Sequence, residues 1–316
     1  MKLTASDARK NAVTDYVLVE IDTPGHSSII AHAFPEPIAC FETSPWVTLA
    51  NGPPAGQLRL ASTATQNFTT ELLSAVAKMF PSTLFGTGGD ELNTNCYAAD
   101  NQTQAELNST GKTVFDALSD FTATTHGALR NLGKTPVVWE EMVLTFNVTT
   151  LQNDTIVMVW ISSADVQAVV DRGFRLVHAA SDYFYLDCGG GGWVGNNTLG
   201  NSWCDPFKTW QKAYSFDPFA NITDAQHSLI LGGEHLLWTE QSSPSNLDPV
   251  TWPRAATSAE IYWTGGTLPS GEARNVEEAL PRLHDVAFRM QARGIAAIPL
   301  QPLWCALRPG KCDLTA

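Results

Sequence analysis

Six short β-branched runs alternate with longer amphipathic stretches, and this alternation limits the fold more than any other feature of the chain. The runs lie at 16–21, 83–87, 136–140, 155–161, 174–178 and 228–231. Most are continuously apolar, as strands covered on both faces must be, which predicts a parallel α/β sheet. The intervening stretches at 69–80, 113–132, 164–172 and 276–293 read as helices. In the second, Val114, Phe115, Leu118 and Phe121 recur at helical spacing, and Gly133 supplies a stop. In the last, Asn275 is placed to cap the first turn, with Glu277 and Glu278 facing the helix dipole.

Residues able to do chemistry gather at or just past the C-terminal ends of these runs. They are Asp22, Asp90, Glu91, Trp139, Glu140, Trp160, Tyr185, Asp187, Trp238 and Glu240. Ligand sites at that edge are common to open α/β sheets and to the (β/α)8 barrel. No GxGxxG follows the first run, which disfavours a dinucleotide fold. The barrel is the better expectation, with six of its eight strands recognisable. The Gly-, Asn- and Trp-rich stretch 188–227 reads as a long excursion held by cysteines.

The chain has 316 residues, 44% of them hydrophobic, enough for a large core in one big domain or two small ones. A net charge of −13 argues against a nucleic-acid partner. No apolar run is long enough to cross a bilayer. The six cysteines form no CxxC pair, so neither a zinc site nor a redox motif is expected, and no cofactor is implied. Seven Asn-x-Ser/Thr sequons, at Asn67, Asn101, Asn108, Asn147, Asn153, Asn196 and Asn221, point to a secreted glycoprotein. The opening MKLTASDARKNA has no apolar signal core. The expectation is therefore a chain that begins inside a longer secreted protein.

The segment FGTGGDELNTNCY, residues 85–97, is the densest in chemistry. A glycine pair, Gly88 and Gly89, lets a ligand come close to the backbone, and two adjacent acids, Asp90 and Glu91, follow at the strand end. Two acids there suit acid/base work and suggest a glycosidase. A solvated acidic loop would explain this one segment equally well. Ten tryptophans add flat apolar faces of the kind that stack on sugar rings, although most of them are expected in the core or at its rim.

Taken together, these segments resemble glycoside hydrolase family 20, the β-N-acetylhexosaminidases. VEIDTPGHS resembles the family's E-[FI]-D-x-P-G-H at its third barrel strand, and FGTGGDE resembles H-x-G-G-D-E at the fourth. VVWEEM, IVMVWI, FYLD and GGEHLLWTE resemble the fifth to eighth strands, in the same order. The stretch 188–218 looks like the secreted fungal branch. The resemblance implies a single catalytic barrel domain over 1–316, without the family's first two strands and its leading α+β domain. It implies hydrolysis, with retention, of terminal β-linked N-acetylhexosamine from oligosaccharides such as chitooligosaccharides. The nucleophile is the substrate's own 2-acetamido oxygen.

The resemblance makes Glu91 the general acid and then base, and makes ionised Asp90 the holder of the acetamido N–H. Trp139, Trp160 and Trp238 match the walls of the acetamido pocket, and Tyr185 matches the donor to its carbonyl. Asp187 and Glu240 match groups that bind sugar hydroxyls, and Trp210 matches the floor of the next subsite. Asp22 and His26 match a supporting pair behind the acid/base. The family also dimerises often, so a homodimer is among the implied partners. The disulfides implied are Cys40–Cys96, between neighbouring strand ends, and the short-loop pairs Cys188–Cys204 and Cys305–Cys312.

Two departures stand out. The signature His before the glycine pair is Gly86 here. No arginine before Asp22 matches the family's clamp on the 3- and 4-hydroxyls, since Arg9 lies in a polar stretch. A remnant that binds sugar without turning it over is therefore the alternative reading. The DxxDxDxE signature of another barrel glycosidase family, the chitinases, does not occur.

Overall fold

The computed structural model describes residues 17–316. Its strands are β1 (Val19–Glu20), β2 (Ile38–Ala39), β3 (Gln57–Leu58), β4 (Leu84–Gly88), β5 (Thr135–Trp139), β6 (Ile156–Val159), β7 (Arg175–His178) and β8 (Ile230–Gly233). Six of them form one parallel sheet in the order β1-β4-β5-β6-β7-β8, an α/β arrangement that resembles an incomplete (β/α)8 barrel. β2 and β3 form a separate antiparallel pair. The longer helices are α1 (Thr63–Ala77), α2 (Asn101–Thr110), α3 (Val114–Asn131), α4 (Arg254–Thr264) and α5 (Val276–Ala292).

All six expected strands are present, and the differences lie at their ends. Residue 16 of the first expected run and Arg9 fall outside the described residues. The last expected strand moves from 228–231 to Ile230–Gly233, because Thr223 and Gln226 form a capping box that starts a 3-10 turn over Asp224–Leu229. α1 begins at Thr63 rather than 69, where the Ser62 hydroxyl accepts the Thr65 N–H. The helix expected over 164–172 divides into a 3-10 turn, Ser163–Asp165, and a short helix, Val166–Val170. α2 and α4 have no counterpart among the expected helices, since α2 is polar and α4 carries no strong apolar stripe.

The chain divides into two compact units. Among the described residues, the first comprises residues 17–158 and 168–176. In it, β4 lies between β1 and β5, with Glu20 opposite Gly86 and Gly86 opposite Val137. Leu73 and Ala77 of α1, Phe85 of β4 and Leu129 of α3 form a buried core, with Val19, Ile21, Val76 and Leu132 packed against it. α3 is held at its start by a reciprocal cap. The Thr113 hydroxyl accepts the Asp116 N–H, and the Asp116 carboxylate accepts the Thr113 N–H. Its buried stripe includes Leu118, Phe121 and Leu129, whereas Phe115 is exposed and stacks on Phe146.

The second unit comprises residues 159–167 and 177–316. Arg254 at the start of α4 is buried and donates to the carbonyls of Leu186, Lys208 and Val250. Its guanidinium also lies over the Phe207 ring, at 4.1 Å. One buried cation thus fixes two otherwise irregular segments that lie on either side of the 188–204 loop. Phe184, Phe216 and His178 pack edge to face beside them.

The six cysteines pair as Cys40–Cys96, Cys188–Cys204 and Cys305–Cys312. All seven sequon asparagines are exposed. Among the described residues, no helix is long and apolar enough to cross a membrane. The Cys40–Cys96 bridge spans 56 residues and the Cys305–Cys312 bridge spans 7. Loop-closure entropy assigns these about 4 and about 2.5 kcal/mol respectively. Urea unfolding of the two double Cys→Ser variants should therefore show the larger loss for the first pair, and the reverse order would contradict this ranking.

Candidate active site

The end of β4 is built from residues without side chains. Gly88 and Gly89 have φ of +70° and +98°, in the left-handed region. A Cβ on Gly88 would stand 1.8 Å from Asp22 Oδ1, and one on Gly89 would stand 2.5 Å from Met142 Cγ. Asp22, two residues past β1, therefore lies across the bare end of β4. There its Oδ1 accepts the Gly89 N–H at 3.0 Å. Gly25 allows the next loop the same closeness, since its Cβ would stand 2.9 Å from the Asp90 carbonyl.

The chain then turns at Glu91, whose φ of +52° is uncommon for a residue with a Cβ and is stabilised from outside. Its N–H donates to Glu141 Oε1 at 3.3 Å, and Glu141 is itself buried just after β5. His26, also at positive φ, brings Nε2 to 3.1 Å from Glu91 Oε2 and 3.7 Å from Asp90 Oδ2. The structure thus brings together Asp22, His26, Asp90 and Glu91. It adds Glu141, which the sequence motifs flagged only as the second acid of WEE. The two adjacent acids sit at different depths, with the Asp90 side chain 13% exposed and that of Glu91 29%.

This cluster sets a histidine among partly buried acids. The Glu91 hydrogen bond, opposed by burial and helped by the charges of Asp22 and Asp90, raises His26 to about 9. Burial is the main reason that Asp22 rises to about 6, against the pull of His26. Burial, followed by the charge of Asp22, pushes Asp90 well above the usual carboxylate range. The role expected of Asp90 needs its ionised form, whereas burial in the ligand-free cluster shifts the balance toward its protonated form. A cation developing beside Asp90 would reverse that preference. Ligand atoms of Asp22, His26 and Asp90 lie within 4.8 Å of one another, a spacing that could hold a metal ion. Protonated His26 meets the same electrostatic demand from within the chain.

Trp139 ends β5 and is 4% exposed. Its indole N–H donates to Glu20 Oε1 at 3.1 Å. Glu140 follows it and is also buried. Beside Glu91 and His26 lies a recess lined by the turn at Asn51, Gly52 and Pro54 and by Gln57.

The second unit carries an aromatic cluster of its own. Trp160 stacks on Tyr185 with ring centres 6.2 Å apart, and Trp238 lies 6.5 Å from Tyr185. Trp203, in the disulfide-closed loop, meets both Trp160 and Tyr185 edge-on at 5.6 and 5.7 Å, and is 64% exposed. Trp210, expected at the next subsite, is 6% exposed, on a short helix beside Tyr214. Asp187 accepts a long bond from the Trp238 N–H at 3.5 Å, and its carboxyl is raised by burial. Glu240 is exposed.

Acids and a histidine at strand ends of a parallel α/β sheet are an arrangement of the kind found in glycoside hydrolases. The profile of the glycosyl hydrolase family 20 catalytic domain matches residues 7–266, and the chain belongs to that family. It is 35% identical to a beta-hexosaminidase of Arthroderma benhamiae over 94% of this chain and 51% of that protein. It is 31% identical to a chitooligosaccharidolytic beta-N-acetylglucosaminidase of Ostrinia furnacalis over 94% of this chain and 50% of that protein. The chain spans about half the length of the curated relatives it matches. Among solved structures, an exo β-N-acetylglucosaminidase from Vibrio harveyi superposes with a TM-score of 0.74 at 23% identity. It covers 90% of this chain and 43% of that one, a likeness of fold. A chitobiase from Flavobacterium johnsoniae gives 0.70 at 26% identity, over 90% of this chain and 40% of that one.

The His26 shift predicts a pH dependence of stability. A folded pKa of about 9, above the ordinary 6.5, gives a contribution that is complete below about pH 6.5 and is lost as pH rises toward 9. Thermal unfolding across that range should show wild type losing stability more steeply than His26→Asn. Parallel profiles would contradict the His26–Glu91 pairing.

Proposed function

We propose that this chain carries the catalytic centre of a retaining β-N-acetylhexosaminidase that removes terminal N-acetylhexosamine from β-linked oligosaccharides. The observation that carries the reading is the pair of adjacent acids at different depths, with His26 on the outer one. The more exposed Glu91 suits contact with the glycosidic oxygen. The deeper Asp90 suits the acetamido group, whose N–H it can accept.

In the first step the acetamido oxygen attacks the anomeric carbon and the bond to the leaving oxygen breaks. The proton of Glu91 passes to that oxygen. The developing oxazolinium charge favours ionised Asp90, with His26 and Asp22 balancing the change. In the second step water attacks the anomeric carbon, Glu91 takes its proton, and the bond to the acyl oxygen breaks. Two displacements return the β configuration. Trp139, Trp160, Trp238 and Tyr185 serve as walls and donor for the acetamido group, holding its oxygen against the anomeric carbon. Asp187 and Glu240 serve the sugar hydroxyls, and the recess beside Glu91 takes the leaving group. The exposed sequons fit a secreted glycoprotein, and the chitooligosaccharidolytic relative makes chitooligosaccharides a fitting substrate class.

A sugar-binding chain without turnover is the second reading. One observation favours it: among the described residues the sheet has six strands, whereas a closed (β/α)8 barrel has eight.

Replacing Glu91 with Gln should lower turnover of an aryl N-acetylglucosaminide by about 10²–10⁴-fold, with the smaller loss for better leaving groups. Near-normal turnover of a poor leaving group would remove Glu91 from the acid role. A plain aryl β-glucoside, lacking the internal nucleophile, should not be cleaved. Efficient cleavage of it would favour a two-carboxylate mechanism instead. Wild type that binds a thiazoline analogue of the cyclic intermediate but turns over no substrate would support the second reading.

A further inference from the structure

Glu20 lies on β1 and Trp139 on β5, with β4 between them. Strands two apart stand roughly 10 Å from each other, so a carboxylate spans the gap only by passing over the middle strand. The residue beneath it is Gly86, opposite Glu20 in the register. A Cβ on Gly86 would stand 2.5 Å from Glu20 Oε2 and 2.7–2.8 Å from Glu20 Cβ and Cγ. Across this gap Glu20 Oε1 accepts the Trp139 indole N–H at 3.1 Å.

We propose that Glu20, reaching across the bare Gly86, is a positioning residue that fixes the Trp139 indole and thereby sets the acyl-group selectivity of the pocket. The selectivity part rests on the proposed function. An indole has one polar donor, and a carboxylate on that donor fixes the rotation of the ring about its side-chain bonds. The bond is part-buried, and an ionised carboxylate acceptor holds the ring more firmly than a neutral partner would. Gly86 is part of the same device, because any side chain there occupies the path of Glu20. With the bond broken, the ring can tilt and the wall accommodates a longer acyl chain.

The test has two arms on the 316-residue protein. In the first, the Trp139 indole resonance is assigned in a ¹H–¹⁵N spectrum by its absence in Trp139→Phe. Glu20→Ala and Gly86→Ala should both move it upfield and speed its exchange with solvent. Glu20→Gln, which keeps an acceptor oxygen of the same shape, should move it less and in the same direction. An unmoved resonance in Glu20→Ala overturns the proposal. If that variant does not fold, a Glu20→Gln resonance superimposable on wild type overturns it.

In the second arm, kcat/KM is measured on aryl glycosides bearing N-acetyl and N-propionyl groups. Glu20→Ala and Gly86→Ala should lose about tenfold or more on the N-acetyl substrate, the scale of one charge-assisted hydrogen bond. The N-propionyl to N-acetyl ratio should rise about threefold or more. A general loss of folded protein would lower both substrates together and leave that ratio unchanged, which would overturn the selectivity claim. If wild type cleaves neither substrate, the proposed function and the selectivity fail together, and the indole resonance still decides whether Glu20 holds the ring.

Discussion

Two acids, one on the first strand and one just past it, reach over two glycines of the fourth, and the candidate site depends on that crossing. Glu20 passes over Gly86 to Trp139, and Asp22 passes over Gly88 to the Gly89 N–H and the Asp90 side chain. Ordinary strand neighbours keep their side chains side by side. Here the middle strand gives up its own side chains, so its neighbour's acids can work on the far side of it. The cost is conformational, because glycines lose the most freedom on folding. The buried core of Leu73, Ala77, Phe85 and Leu129 behind the same strands helps to offset it.

The crossing concentrates negative charge, and much of the local structure answers that charge. His26 lies between Glu91 and Asp90 and is raised by its bond to Glu91, and Asp22 and Asp90 are both pushed upward by burial. Glu91 is held in a left-handed turn by the carboxylate of Glu141, reached through its backbone N–H rather than its side chain. Under the proposed function, positive charge developing beside Asp90 would favour its ionised form, so the electrostatic gain would arise as that charge develops.

Much of this was legible in the sequence, and the limits have physical causes. The six strands are readable because continuous apolar runs demand cover on both faces, and α3 because its stripe and caps are strong. α2 and α4 were not readable: one is polar and one has a weak stripe, so tertiary contacts decide them. Asp90 and Glu91 stood out through the glycines before them. Gly86 was visible only as a departure from the family pattern. Its purpose, clearing a path for Glu20, depends on register between strands 66 positions apart. That Trp203 is exposed and Trp210 buried was not legible, because pattern cannot separate a buried indole from an exposed one. The upward shift of Asp22 and Asp90 was not legible at all, since it follows from burial and distance.

The most direct test of the account is a crystal structure of the chain with a thiazoline analogue of the cyclic intermediate. The account predicts the ring nitrogen within hydrogen-bond distance of the Asp90 carboxylate, and Glu91 on the leaving-group side of the anomeric carbon. It also predicts that Glu20 still lies over Gly86 on the Trp139 indole. An analogue bound away from Asp90, or bound there with Glu20 swung off Trp139, would contradict it.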